Sequence, residues 1–166
     1  MSKESNEYNI ERIGYLWYEY GCKNREPSYV RFLAHWMAFN WLYSNFPGDD
    51  ERSKIESFLN HYYSCIEANT DFNNPIYKPF FCKEVIDMKY KNSYWSKKNF
   101  QTLINPHQPM KDRINALFMT MYQVRCNLFH GQKNPESSRD RELVESTAII
   151  LEHYIGAIKA KKESSH

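Results

Sequence analysis

Two stretches in the second half of the chain constrain its fold more than anything else. Met110, Ile114, Leu117, Phe118, Met121, Val124 and Leu128 recur every three or four residues, and so do Leu143, Val144, Thr147, Ala148, Leu151, Tyr154, Ile155 and Ile158. A period near 3.6 places each set on one face of an α-helix, and an amphipathic helix needs other elements to cover that face. No segment alternates apolar and polar residues for a useful length, so the cover must come from more helices.

Three earlier segments can supply it. Over 9–20, Ile10, Ile13, Leu16, Trp17 and Tyr20 share one helical face. Pro27 suits the first turn of a helix running to about 43, with Val30, Leu33, Trp36, Met37, Trp41 and Leu42 turned inward, and Phe46-Pro47-Gly48 ends it. Asn40 lies in that run of large rings, where its amide would need partners. The acidic Asp49-Asp50-Glu51 fits the positive end of a third helix, which continues through Ile55, Phe58, Leu59, Tyr62, Tyr63 and Ile66. From 69 to 109 the period weakens: NTDFNNPIYKPFF is turn-rich, with short helical pieces over 83–90 and 94–104. Pro109 can start the next helix and Gly131 can stop it, and the final one spans about 140–159. The expectation is an all-α chain: an antiparallel four-to-five-helix bundle with an irregular, partly helical insertion, forming a single domain across 1–166.

Composition agrees. With 166 residues, one substantial core can form without metal or disulfide staples, and with 16% aromatic residues it will rest on a few large rings. Cys22, Cys65, Cys82 and Cys126 are scattered, without a C-x-x-C pair, and His35, His61, His107 and His153 show no mutual metal-ligand spacing. No metal or cofactor is expected from the spacing; each of these histidines reads as surface or satisfied core, and Cys126 as a small buried hydrophobe. The opening MSKESNEYNIERIG lacks an apolar leader core, and no run of about 18 apolar residues occurs. The expectation is a reduced, cytoplasmic protein that does not enter a membrane.

Charge is distributed unevenly. Residues 1–75 carry 7 basic and 11 acidic side chains, 76–133 carry 10 and 3, and 134–166 carry 5 and 6. In the middle segment Lys78, Lys83, Lys89, Lys91, Lys97 and Lys98 alternate with Tyr77, Phe80, Phe81, Tyr90, Tyr94 and Trp95. That is the composition of a single-strand nucleic-acid surface, and equally of a solvated lysine face over a tyrosine-rich satellite core.

The string Tyr122-Gln-Val-Arg125-Cys-Asn127-Leu-Phe-His130-Gly131 places an arginine and a histidine five positions apart at a helix end, off the apolar face. A guanidinium grips two phosphate oxygens and stays charged, while an imidazole exchanges protons near neutrality. Together they suit RNA cleavage, in which the ribose 2′-hydroxyl loses a proton and the phosphorane transition state gathers negative charge. A helix turns about 140° net over five residues, so one protomer holds the pair on different faces unless the helix loosens there. A two-fold axis near His130 would supply the second imidazole, which predicts a homodimer.

Arg125-Cys126-Asn127-Leu128-Phe129-His130-Gly131 resembles the R-x4-6-H signature of the HEPN superfamily (higher eukaryotes and prokaryotes nucleotide-binding), and 32–43 is similar to a pattern in its bacterial members. The resemblance implies a helical bundle dimerised with its motifs facing each other, often a metal-independent endoribonuclease of host defence or a toxin. Carried over, Arg125 would hold phosphate, His130 would be the acid/base and Asn127 the polar residue near the arginine, although the family often places that residue where Cys126 stands. Gln132 stands where some toxin members carry a tyrosine modified by their antitoxin. Lys133, Lys89, Lys91, Lys97 and Lys98 are the candidate RNA contacts, with Lys133 also readable as a solvated loop residue. The rival readings are a non-catalytic HEPN scaffold binding RNA, a nucleotide or a partner protein, and an antitoxin or immunity component whose tyrosine-rich surface covers another protein.

Overall fold

The computed structural model describes residues 14–16, 18–23, 28–88, 94–130 and 137–164. Among these there is no strand, and the chain is all-helical. Residues 14–16 and 18–23 are helical; then come α1 (Ser28–Ser44), α2 (Glu51–Ala68), a 3-10 turn (Pro75–Tyr77), α3 (Lys78–Cys82), α4 (Tyr94–Ile104), α5 (Met110–Phe129) and α6 (Ser138–Glu163). Two compact units are distinguishable: the described residues up to Asn69 together with those from Thr147 onward, and the segment Thr70–Ser146. The stretch 70–109, read from the sequence as part of an irregular, partly helical insertion, joins α5 and the start of α6 in one compact unit.

In the first unit, α1 packs on α2 through aromatic rings. Phe39 meets Phe58 edge-on at 5.4 Å between centroids, and Tyr43 at 4.8 Å. Such edge-to-face pairs add stabilisation beyond the area they bury. Asp50 caps α2: its carboxylate accepts the Ser53 N–H at 2.8 Å, while the Ser53 hydroxyl accepts the Asp50 N–H at 3.1 Å. These bonds hold the Asp50 carboxyl below its ordinary range, chiefly through the Ser53 backbone and hydroxyl. At the far end, the Asn69 side chain donates to the Cys65 carbonyl at 2.8 Å. Gly48 precedes α2 because a Cβ there would lie 2.6 Å from the Lys54 backbone nitrogen.

The inward faces differ from the sequence reading at the N-terminal helices. In α1 the buried set is Phe32, Ala34, His35, Trp36, Ala38, Phe39, Leu42 and Tyr43, whereas Leu33, Met37 and Asn40 are exposed. The stripe is rotated because small Ala34 and Ala38 let the helix approach its neighbours on that side, so the rings of Phe32 and Phe39 go inside. In the first helical segment Leu16 and Tyr20 are exposed while Gly14 and Gly21 are buried, again a face chosen by close approach; Ile10, Ile13 and Trp17 lie outside the described residues.

The second unit rests on an αα-hairpin, α4 and α5 packed together across the turn at 105–109. Arg113 on α5 secures it: its Nε donates to the Leu103 carbonyl at 3.0 Å, in the last turn of α4, and its guanidinium sits 4.3 Å from the Phe72 ring centroid. Burial lowers the pKa of that guanidinium. Helix α4 occupies the expected range, but the piece expected over 83–90 is not helical through residue 88. Instead α3 ends at Cys82, after Pro79 in its first turn, and the backbone becomes extended at Lys83. Side chains replace the missing ladder: Arg139 donates to the carbonyls of Lys83 and Glu84 at 2.7 and 3.2 Å, and Asn127 takes Ile86 and Met88. Every apolar position assigned to α6 from the sequence is buried.

Candidate functional site

Helix α5 ends at Phe129, and His130 is its C-cap, exposed, with φ −86° and ψ 11°. The His130 N–H keeps the ordinary helical bond to the Cys126 carbonyl and also reaches that of Leu128. Arg125 is half-buried on the last turns. Its guanidinium lies 4.8 Å from the Phe129 ring centroid, four residues on, and 6.0 Å from that of Tyr122, three residues back. This is the neighbour spacing of one helical face, and stacking on rings restrains a side chain that otherwise has much rotamer freedom. Its Nη1 also approaches the Cys126 sulfur at 3.9 Å. Phe129 is 57% exposed, while the Arg125 Nε is buried.

Asn127, grouped with these two from the sequence, is placed otherwise. It is 1% exposed. Its Nδ2 donates to the Ile86 carbonyl at 2.8 Å, and its Oδ1 accepts from Gln123 Nε2 at 2.9 Å and from the Met88 N–H at 3.3 Å. An amide so engaged braces the 84–88 segment against α5; it acts on the Arg125–His130 end by holding α5 in place. Of the candidate RNA lysines, Lys97 and Lys98 are exposed on α4, with Lys98 Nζ 5.2 Å from the centroid of the exposed Trp95 ring. Tyr94 and Trp95 pack edge-on at 5.3 Å. Lys89, Lys91 and Lys133 lie outside the described residues.

A second polar constellation, in the first unit, has no counterpart in the sequence reading. His35, fully buried on α1, brings Nε2 within 3.8 Å of the Cys22 sulfur and 3.7 Å of Glu152 Oε2 on α6. Arg31, one turn before His35, donates Nε and Nη2 to that same oxygen at 3.1 and 2.6 Å. The Tyr18 hydroxyl bonds Cys22, and burial, then the nearby Cys22 and Glu152, push its pKa up to about 12. Two glycines make this packing feasible: a Cβ on Gly21 would fall 2.7 Å from His35 Nε2, and one on Gly156 would fall 2.7 Å from the Tyr18 hydroxyl. Glu152 is 130 positions from Cys22, so no local spacing announces the group. The one signal in the sequence is a glycine-cysteine pair, Gly21-Cys22, thirteen positions before a histidine set among large apolar side chains. His61, His107 and His153 are exposed, the last with Nε2 3.2 Å from the Asn69 carbonyl.

No described helix is long and apolar enough to cross a membrane. Compared with family models, with curated proteins and with solved structures, the chain finds no match.

Proposed function

We propose that this chain is an endoribonuclease of the HEPN type, working without a catalytic metal on single-stranded RNA or a tRNA loop, in a defence or toxin–antitoxin setting. The observation that carries the reading is the α5 terminus, where an exposed imidazole ends the helix and a ring-stacked guanidinium lines its last turns. Arg125 neutralises the scissile phosphate and stabilises the charge that the transition state gathers. One imidazole takes the 2′-hydroxyl proton as the 2′-oxygen attacks phosphorus; the P–O5′ bond breaks, and a second imidazole protonates the leaving 5′-oxygen. The products are a 2′,3′-cyclic phosphate and a 5′-hydroxyl. One chain holds a single His130, so the site is completed by a second copy meeting the first near this helix end. Trp95 and Tyr94 with Lys97 and Lys98 provide stacking surface and positive charge for the flanking strand, each stacked base contributing about 1–3 kcal/mol.

The test is cleavage of single-stranded RNA in buffer with no added magnesium or manganese. His130→Ala lowers the rate by about 100-fold or more, and Arg125→Ala by about 100–1000-fold. Mixing the two variants does not restore the wild-type rate, because a mixed dimer carries one imidazole where the mechanism uses two. A His130→Ala variant as fast as the wild type, or a chain that sediments strictly as a monomer, overturns the mechanism. RNA binding without cleavage by the wild type assigns the surface to the scaffold reading instead.

A further inference from the structure

The constellation of Cys22, His35 and Glu152 is unconnected with the α5 terminus, and its chemistry differs. Sulfur, imidazole nitrogen and carboxylate oxygen come from three separate helical segments, and their donor atoms all lie within 4.8 Å of one another. A tetrahedral zinc ion binds thiolate sulfur at about 2.3 Å and imidazole nitrogen or carboxylate oxygen at about 2.0–2.2 Å. Those bond lengths place neighbouring donors roughly 3.3–3.6 Å apart. The two edges that meet at His35 Nε2, 3.8 and 3.7 Å, are within a few tenths of an ångström of that requirement. The third edge, between the Cys22 sulfur and the Glu152 carboxylate, lies within 4.8 Å, so closing the triangle takes rotation of one of those side chains.

The surroundings have what a metal site uses outside its ligands. Ligating carboxylates are generally hydrogen-bonded in turn, and the two Arg31 bonds fix the Glu152 carboxylate toward His35. The His35 ring is held in a slot that Gly21 leaves open, so its Nε2 orientation is set by packing before any ion arrives. One soft, one borderline and one hard donor suit zinc, whereas magnesium and calcium take oxygen ligands alone.

We propose that Cys22, His35 and Glu152 bind a divalent ion of the zinc class, with a water in the fourth position. Binding converts the Cys22 thiol to thiolate and releases about one proton per ion, so affinity rises with pH until the thiol ionises by itself. The ion and its two anionic ligands cancel in charge, and the Arg31 guanidinium remains on the carboxylate as the outer partner. The ion joins the residues around Cys22 to α1 and α6 and thereby adds to the stability of this unit.

The experiment uses the full chain without an affinity tag, reduced and freed of metal, titrated with zinc and then with cobalt alone. One ion per chain is expected, with the thiolate-to-cobalt charge-transfer band and the intense visible bands of tetrahedral cobalt. Cys22→Ser abolishes the charge-transfer band and weakens binding at least tenfold, and zinc raises the thermal midpoint of the wild type but not of this variant. Cys82→Ser, at an exposed cysteine of the other unit, leaves all of this unchanged. Glu152→Gln provides a second ligand variant should Cys22→Ser fold poorly by circular dichroism. A wild type that retains no ion after dialysis, or one whose cobalt spectrum survives both ligand variants, overturns the proposal. The readouts are spectroscopic, so they stand or fall apart from RNA cleavage.

Discussion

Replacing Asn127 by Ala separates bracing from chemistry at the α5 terminus. The substitution removes a buried amide that serves three partners: the Ile86 carbonyl, the Met88 N–H and the Gln123 side chain. Ile86 and Met88 are partly exposed, so water recovers some of their bonding, and each loss there costs about 0.5–1.5 kcal/mol. Gln123 is buried, and its stranded amide costs about 1–3 kcal/mol. Because the Met88 bond is long, the total is about 2–4 kcal/mol, a large share of the roughly 5–15 kcal/mol that holds a domain folded. In urea, with a slope of about 1–3 kcal/mol per molar, the midpoint falls by about 1–2 M. Hydrogen exchange should locate the damage at the Met88 amide. Asn127→Asp keeps the shape and one acceptor but turns an oxygen toward the Ile86 carbonyl. Burial and that carbonyl raise its folded pKa, so it approaches wild-type stability below about pH 4, where both states are protonated, and loses it as pH rises through the raised value. An Asn127→Ala variant with an unshifted urea midpoint but no RNA cleavage would refute this reasoning and put the amide on the substrate.

Three further outcomes follow from the packing. Arg31→Met and Glu152→Leu each strand a largely buried charge and cost about 2–4 kcal/mol in urea unfolding, whereas the double variant costs less than their sum, as a double-mutant cycle would show. Gly21→Ala gains about 1 kcal/mol of helix propensity but forces the buried His35 ring aside at about 1–3 kcal/mol, so the thermal midpoint falls; Gly14→Ala, whose Cβ meets Trp41 Cβ at 3.2 Å, shifts it less. The depressed pKa of Asp50 means its capping contribution is present above the ordinary carboxylate range and is lost as pH falls through the folded value. Asp50→Asn removes that acid-side slope while keeping a cap, measurable as a flatter thermal midpoint between pH 5 and 2.

The parts of this fold that could be read from the residues are those where one signal decides. The faces of α5 and α6 follow from their periods, and the start of α2 follows from its acidic turn. Helix α1 was harder because Leu33 and Met37 are as apolar as Phe32 and Phe39, and the side on which Ala34 and Ala38 permit close approach is a tertiary fact. The same holds for Leu16 and Tyr20, which lose the interior to two glycines. Over 83–88 the backbone is decided by Arg139 and Asn127, distant in sequence and invisible to any local propensity. The α5 terminus was legible because Arg125 and His130 sit near each other in sequence. The Cys22, His35 and Glu152 group was not, since its members meet only when α6 returns.

That return has a price in time during synthesis on the ribosome. The first unit is built from the opening residues and from those after Thr147, so it cannot close until all of Thr70–Ser146 has been made. Meanwhile α1 and α2 emerge before the residues from Thr147 onward that complete their compact unit, and exposed apolar surface in such an unfinished unit attracts chaperones and neighbouring nascent chains alike. Production of the chain should therefore depend on elongation speed and chaperone supply more than its modest length implies.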